Sequence, residues 1–276
     1  MARSDFKTIA LFLSSLFLST SINARHLVSP TPALGFNTWD ITGCNATFPN
    51  AKHLMVTADQ FISTGIAQAG YKYINLDDCW MKIQKDSKGR QVPDPLKFPP
   101  SQPGLTDGIE IVANYLTNLK LQMGIYTAMG RTTCAGHAGS CGSEVLDTTE
   151  YNAWNMSYLK IDACGGCGDP LIDTAKLRKG FPNKLVQVHP STDVVAVSAN
   201  PNKYGNARRI GHDMMPTWFS MLSLVDASSG LHKFAHNDSG LGGFYNDLDM
   251  LAIGNPGDFF SSTTSDIDPT ARNRIL

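Results

Sequence analysis

The stretch Tyr158-Leu159-Lys160-Ile161-Asp162-Ala163-Cys164 alternates apolar and polar side chains and then reaches an acid. A period of two is typical of a β-strand, so Lys160 and Asp162 share one face and Leu159 and Ile161 share the other. In a parallel barrel the apolar face packs on helices, and polar residues at the carboxyl end face the substrate. The stretch therefore predicts a barrel strand that ends in a reactive group.

The same pattern repeats along the chain. Short β-branched or apolar runs alternate with amphipathic helical stretches, which is typical of βα units and a parallel sheet. Strands are predicted at residues 34–39, 71–76, 123–126, 158–162, 194–198, 207–211 and 243–247, and helices at segments such as 54–63, 109–119 and 143–154. Seven strands predict an incomplete (β/α)8 TIM-type barrel, because closure requires eight. The polar, proline-rich residues 82–103 are predicted to form a long loop after the second strand.

Charge and composition argue against nucleic acid and anionic lipid as partners. The chain has 23 basic and 24 acidic residues in 276, with no basic run. A binding surface for phosphate groups requires clustered Lys and Arg. A neutral partner such as a carbohydrate fits this balance better.

The first residues are typical of an export signal. Arg3 and Lys7 precede or flank an apolar stretch from residue 8 to 18, which is too short to span a bilayer. A membrane anchor is the alternative, but polar residues follow directly. We expect cleavage after Ala24, a soluble mature chain with no membrane association, and secretion or delivery to a vacuole or lysosome. Sequons at Asn45, Asn155 and Asn237 agree with that route.

Six cysteines in an exported chain predict disulfides, because the secretory pathway is oxidising. The pair Cys164 and Cys167 has the spacing of a redox or zinc motif. That spacing occurs nowhere else in the chain, and no histidine stands at a ligand-like position.

Two further acid-bearing motifs accompany the opening stretch. Tyr73-Ile74-Asn75-Leu76-Asp77-Asp78-Cys79-Trp80 ends in adjacent carboxylates, which could cap a helix, chelate a metal or accept hydrogen bonds from sugar hydroxyls. Arg208-Arg209-Ile210-Gly211-His212-Asp213-Met214 places Asp213 after another strand. If burial raises its pKa, Asp213 could donate a proton, and its alternative is a helix N-cap. His212 by itself is typical of a surface or packing residue.

Lys160 and Asp162 suggest a nucleophile. An ammonium on the same strand face keeps Asp162 ionised, and a carboxylate nucleophile must attack as the anion. A structural ion pair inside the barrel is the alternative.

Taken in order, these motifs resemble glycoside hydrolase family 27, the α-galactosidase and α-N-acetylgalactosaminidase family. The resemblance runs from about Pro32 to about Asn255. It rests on Leu34-Gly35-Phe36-Asn37-Thr38-Trp39, residues 73–80, Gly124-Ile125-Tyr126, Thr133-Cys134-Ala135-Gly136, residues 158–164 and Asn246-Asp247-Leu248-Asp249-Met250-Leu251.

The resemblance implies a retaining glycosidase that removes terminal α-D-galactosyl residues through a covalent glycosyl-aspartate, with no cofactor and no metal. Asp162 matches the nucleophile and Asp213 the acid/base. Asp77 and Asp78 match the acids that bind the axial 4-hydroxyl and the 6-hydroxyl, and Lys160 supports the same edge. The remaining pocket residues by this match are Trp39, which stacks on the sugar, Tyr126, Arg209 and Asp249.

The same resemblance implies how the cysteines pair in disulfides. Cys44 with Cys79 and Cys134 with Cys164 look like two family disulfides. Cys141 and Cys167 have no family counterpart, and we expect them to pair with each other because each follows a member of the second bridge.

Two departures from the family pattern bear on function. Family members have a cysteine and an aromatic residue after the fifth strand, which shape the pocket at the sugar's 2-position; residues 198–204 stand there in the predicted arrangement. The family's eighth strand and C-terminal antiparallel β-domain have no counterpart in the sequence. The domain organisation we expect is a signal at 1–24, a barrel at 25–254 and an irregular tail at 255–276. Open strand edges favour instability or association, a homodimer included.

Other functions stay open on the sequence. The same fold could act on N-acetyl-α-galactosamine or β-L-arabinopyranose, or the chain could be a truncated, non-catalytic sugar-binding remnant. A carboxylate metal enzyme built on Asp77, Asp78 and Asp249 is the third option, and it lacks histidine ligands.

Overall fold

The computed structural model describes residues 31–39, 43–189, 191–231, 233 and 244–251. Its strands are β1 (Gly35–Asn37), β2 (Tyr73–Leu76), β3 (Gln122–Ala128), β4 (Tyr158–Asp162), β5 (Leu185–Val188), β6 (Ala207–Arg209) and β7 (Tyr245–Asp247). Helices between them are α1 (Ala51–Ser63), α2 (Gly108–Asn118), α3 (Glu144–Ala153), α4 (Pro170–Gly180), α5 (Val194–Ala199) and α6 (Trp218–Ser229).

All seven strands form one parallel sheet in chain order, from β1 to β7. Within the described residues, β1 and β7 each pair with a single neighbour, so the sheet is an open barrel of seven strands. The predicted fold, an incomplete (β/α)8 barrel, is confirmed. In such a sheet every strand ends on the same side, which brings the residues after each strand to one face.

The position of the fifth strand was predicted wrongly. Residues 194–198 read as a strand because they contain three valines, but they form α5, and β5 is Leu185–Val188. The Asp193 side chain accepts a hydrogen bond from the Ala196 amide at 2.8 Å and caps the helix at its N-terminus. A satisfied cap outweighs the weak strand preference of β-branched residues. The four residues of β5 are all buried, and their only polar member, Gln187, faces the barrel interior.

The side chains of β4 point to the two faces that the alternation of its sequence predicted. Leu159 and Ile161 are fully buried and belong to the core between sheet and helices. That core also contains Phe61 of α1, Leu116 of α2 and Leu177 of α4. Burial of these apolar side chains supplies the main driving force that holds the helices against the sheet.

A long loop follows β2, as predicted, and buried hydrogen bonds hold it. Gln91 Nε2 donates to Thr127 Oγ1 of β3 at 3.0 Å, and the Tyr151 hydroxyl of α3 donates to Gln91 Oε1. Lys97, which is 6% exposed, donates to the Cys79 carbonyl at 2.9 Å. The loop is therefore fixed against the carboxyl end of the sheet.

No helix in the described part of the chain is both long and apolar enough to cross a bilayer. The predicted signal at 1–24 and tail at 255–276 lie outside the described residues.

Candidate active site

The register of the sheet places Tyr126, Lys160 and Asp162 in rows inside the barrel. Tyr126 pairs with Lys160, and Lys160 pairs with Gln187. One step towards the carboxyl end, Ala128 pairs with Asp162. Because side chains alternate along a strand, the partners in each row point to the same face as Lys160 and Asp162.

Lys160 bonds Asp77 across the barrel, and this ion pair is buried. Lys160 Nζ lies 2.8 Å from Asp77 Oδ2, and their side chains are 8% and 2% exposed. Asn37 Nδ2 donates to the same oxygen at 2.8 Å. Burial alone would lower the pKa of Lys160, but the carboxylates of Asp77 and Asp162 raise it above its usual value. The ammonium that the sequence assigned to Asp162 thus bonds Asp77 and acts on Asp162 through its charge.

Asp78 is held by backbone amides rather than by a cation. Its two carboxylate oxygens accept the Cys79 amide at 2.6 Å and the Ala135 amide at 3.1 Å. Burial raises the pKa of Asp78, and these hydrogen bonds oppose that rise. The helix-cap alternative does not hold, because the next helix begins only at Gly108.

The potential metal ligands are not arranged as the carboxylate alternative requires. In the described residues one set of three such groups lies close together, Cys44, Asp78 and Cys79. Two of its members form a disulfide with each other, which leaves no thiolate. Asp77, Asp78 and Asp249 do not form such a set.

Asp162 ends β4 beside a disulfide and a tyrosine. Its Oδ2 lies 3.7 Å from Cys134 Sγ, and the Tyr126 hydroxyl lies 3.5 Å from the same sulfur. Burial raises the pKa of Tyr126 well above its usual value, and the carboxylates of Asp162, Asp78 and Asp77 add to that rise. The phenol therefore stays protonated and can donate a hydrogen bond into the site.

The three predicted disulfides are present, Cys44–Cys79, Cys134–Cys164 and Cys141–Cys167. Cys134–Cys164 brackets Asp162. Trp39 is the second residue after β1, and its amide donates to Asn37 Oδ1 at 2.8 Å.

Arg209 joins Asp213 and Asp249. The same guanidinium nitrogen lies 2.9 Å from Asp213 Oδ1 and 2.9 Å from Asp249 Oδ2. The Asp213 side chain is 74% exposed, and the Asp249 side chain is 3% exposed. The two carboxylates therefore share one cation but differ in access to solvent.

The structure corrects the expected state of Asp213. The sequence assigned Asp213 a role as proton donor on the condition that burial raises its pKa, but the Arg209 guanidinium bonds this carboxylate. Burial would raise the pKa of Asp213, yet the hydrogen bond and charge of Arg209 lower it below the usual value. Asp249 is the opposite case, because burial raises its pKa to about 6 although Arg209 opposes the rise.

His189 is a site residue that the sequence reasoning missed. Val188 pairs with Ile161 and with Arg208, so His189 follows level with Asp162 and Arg209. Its Nδ1 accepts the Ser191 amide at 3.1 Å, which leaves Nε2 to carry the proton. Burial lowers the pKa of His189, against the pull of the Asp162 carboxylate. Only the correct location of β5 would have found it.

The corrected position of β5 also changes which residues stand where family members have the cysteine and the aromatic residue that shape the pocket at the sugar's 2-position. Residues 198–204 lie at the end of α5 and beyond it, and His189 is the residue that directly follows β5. The described residues between β5 and α5 are His189, Ser191, Thr192 and Asp193, and none of them is a cysteine.

Alpha-galactosidases are among the known proteins to which this chain is similar in sequence and fold. The family model described as Melibiase_2, alpha galactosidase A, matches residues 31–268. An alpha-galactosidase of Cyamopsis tetragonoloba is 34% identical over 241 residues, which cover 85% of this chain and 54% of that protein. Alpha-galactosidase 3 of Arabidopsis thaliana is 35% identical over 233 residues, which cover 82% and 49%. This chain thus spans about half the length of these curated relatives.

A solved α-galactosidase structure has a similar fold. Alpha-galactosidase I from Mortierella vinacea superposes with a TM-score of 0.71 at 26% identity, covering 83% of this chain and 61% of that chain.

Proposed function

The chain belongs to the alpha-galactosidase A family of glycoside hydrolases, and from this premise we propose that it hydrolyses terminal α-D-galactosyl residues with retention of configuration. The substrates are oligosaccharides, polysaccharides or glycoconjugates with a terminal galactose. One observation carries the proposal: the buried Asp77–Lys160 pair lies beside Asp162 at the carboxyl end of the sheet. Charged groups that are fixed before the substrate arrives can bind sugar hydroxyls without reorganisation.

The proposed reaction uses two carboxylates. In the first step Asp162 attacks the anomeric carbon, the bond to the leaving-group oxygen breaks, and Asp213 gives that oxygen a proton. In the second step Asp213 takes a proton from water, the resulting hydroxide attacks the anomeric carbon, and the bond to Asp162 breaks. The sugar is released with its original configuration, and both aspartates regain their starting state.

Asp213 needs a proton for the first step, although Arg209 favours its ionised form. A bound sugar removes water from the exposed carboxyl, and desolvation raises the pKa of an acid. Asp249 also shares the charge of Arg209. The ionised form suits the second step, in which Asp213 acts as base.

The experiment is hydrolysis of 4-nitrophenyl α-D-galactoside by the full chain, followed by proton NMR of the released sugar in its first minutes. We expect α-galactose to appear first and the β-anomer to grow in later by mutarotation. Parallel reactions with the N-acetyl-α-galactosaminide and the β-L-arabinopyranoside test the two alternatives within the fold. Galactose that stabilises the protein without turnover of any of the three would identify the sugar-binding remnant instead.

We expect the disulfide beside Asp162 to matter for both stability and turnover. Cys134–Cys164 and Cys141–Cys167 span 30 and 26 residues, so the chain-entropy model gives them nearly equal stabilisation, about 3.5 kcal/mol each. Replacing either pair with serine should lower the free energy of unfolding in urea by a similar amount. Only loss of Cys134–Cys164 should also lower kcat, because Cys134 Sγ contacts Asp162. Equal kcat values in the two double variants would contradict this prediction.

Entry into the secretory pathway, with an extracellular, vacuolar or lysosomal destination, is part of the proposal. Three disulfides support it, since they persist in oxidising compartments. Asn45 and Asn155 are exposed, as glycosylation requires, and Asn237 lies outside the described residues. Protein expressed in insect cells should lose mass on treatment with an N-glycosidase, and an unchanged mass would count against this route.

A further inference from the structure

The carboxylate of Asp249 bonds other groups of the protein and is not accessible to a substrate. Its side chain is 3% exposed. Oδ2 accepts the Met214 amide at 2.8 Å and lies 2.9 Å from the Arg209 guanidinium. Oδ1 is buried and has no hydrogen-bond partner among the residues that the structure describes. These contacts differ from the substrate-binding role that the family resemblance implied.

Both contacts of Asp249 lead to Asp213. Met214 is the next residue along the chain, so the bond to its amide fixes the backbone beside Asp213. Arg209 bonds Asp213 Oδ1 through the same nitrogen that bonds Asp249. Because the Asp213 side chain is 74% exposed, little packing holds it, and these two connections set where its carboxyl group lies.

Asp249 itself is held rigidly. Its φ of 85° is in the left-handed region, which is uncommon for a residue other than glycine. The Asp249 amide donates to Asp247 Oδ1 at 2.8 Å, and Gln187 Nε2 donates to Asp247 Oδ2 at 2.7 Å. A costly backbone conformation persists only where its surroundings enforce it, and such positions concentrate at functional sites. The bonds from β5 and β7 supply that enforcement.

Charge adds to geometry. The buried carboxylate of Asp249 neutralises the charge of Arg209, so the exposed carboxylate of Asp213 experiences a weaker positive field. Without the Asp249 charge, more of the charge of Arg209 would act on Asp213 and favour its ionised form.

From these contacts we propose that Asp249 is a positioning residue for Asp213: it fixes the Arg209 guanidinium and the Met214 amide, and it neutralises Arg209 so that Asp213 can hold a proton. The inference rests on the proposed function, in which Asp213 is the acid/base. The titratable and charged groups that face this pair from the neighbouring strands are Lys160 and Asp162 of β4, His189 after β5, Arg209 of β6 and Asp247 of β7.

The test compares Asp249→Asn with wild type on two α-galactosides that differ in leaving group. Methyl α-galactoside needs a proton on its leaving oxygen, whereas 2,4-dinitrophenyl α-galactoside does not. A positioned general acid contributes roughly 10²–10⁴-fold to rate. We expect kcat/KM to fall at least ~100-fold for the methyl glycoside and less than ~5-fold for the dinitrophenyl glycoside. The alkaline limb of the pH profile for the methyl glycoside should move to lower pH, because Asp213 loses its proton more easily.

A second variant separates geometry from charge. Asp249→Glu keeps the charge but displaces the carboxylate, so it should show the same dependence on leaving group with a smaller shift of the alkaline limb. It also keeps the test decisive if Asp249→Asn does not fold, which near-ultraviolet circular dichroism would reveal. Asp226 is an exposed acid on α6, and Asp226→Asn is the matched control, which should leave kcat/KM unchanged on both substrates.

Equal losses on both substrates would overturn the inference and support a substrate-binding role for Asp249. Unchanged kcat/KM on both would overturn it as well. Wild-type protein that hydrolyses neither galactoside would instead contradict the proposed function, so the two failures are distinguishable.

Discussion

Asp162→Asn removes hydrolysis of 4-nitrophenyl α-galactoside, with an expected fall in kcat of roughly 10⁴-fold or more. An amide cannot attack the anomeric carbon as an anion, so no covalent intermediate forms. Asn preserves the size of the side chain at the end of β4, so the fold should not change. Initial rates at saturating substrate measure this effect.

Two controls accompany the Asp162 variant. Asp226→Asn removes a carboxylate far from the strand ends and should leave kcat unchanged. A thermal shift on addition of galactose should persist in Asp162→Asn, because the hydroxyl-binding edge of Asp77 and Lys160 is intact. A variant that keeps more than about a tenth of wild-type kcat would rule out Asp162 as the nucleophile.

Lys160→Met is expected to lower the free energy of unfolding by about 3–5 kcal/mol and to abolish turnover. Methionine has similar length but no charge, so the Asp77 carboxylate, which is 2% exposed, would lose its cation. Desolvation of an unpaired carboxylate is costly, and it can be relieved only by protonation or by local opening. Urea unfolding followed by fluorescence measures the change.

The double variant Lys160→Met with Asp77→Asn tests the cause. Removing both charges removes the unpaired carboxylate, so the double variant should be more stable than Lys160→Met alone. Arg90→Met is the exposed counterpart: its pairs with Asp86 and Glu150 are about a quarter exposed, and its loss should cost about 0–1 kcal/mol. A double variant as unstable as Lys160→Met would show that packing, not charge, determines the loss.

The structure places several of the predicted acids at or near strand ends, but it shows bonds between site residues that the sequence did not predict. Asp77, Asp162 and Asp213 were each assigned from an acid at or after a strand. The structure also brings their strands to one face of the sheet. Lys160, however, bonds Asp77 rather than its neighbour Asp162. Partner choice depends on side-chain reach across the barrel, which alternation within one strand does not specify.

The fifth strand shows a second limit of prediction from the sequence. A run with three valines looked like a strand, and one capping hydrogen bond from Asp193 made it a helix. The true strand, Leu185–Val188, is four residues long and too short for a period to stand out. The error hid His189, which lies level with Asp162 although 27 residues separate the two in the sequence.

By itself the sequence determined the class of fold, the acids at the strand ends and the three disulfide pairs, two of them through family resemblance and the third from the positions of Cys141 and Cys167. These follow from local alternation, residue type and ordered motifs, all of which are written in contiguous stretches. Only the tertiary structure decided that Arg209 is shared, that Asp249 is buried and that Asp213 is exposed. Such properties depend on distances between strands far apart in the chain and on exclusion of water, and both arise only when the sheet is assembled.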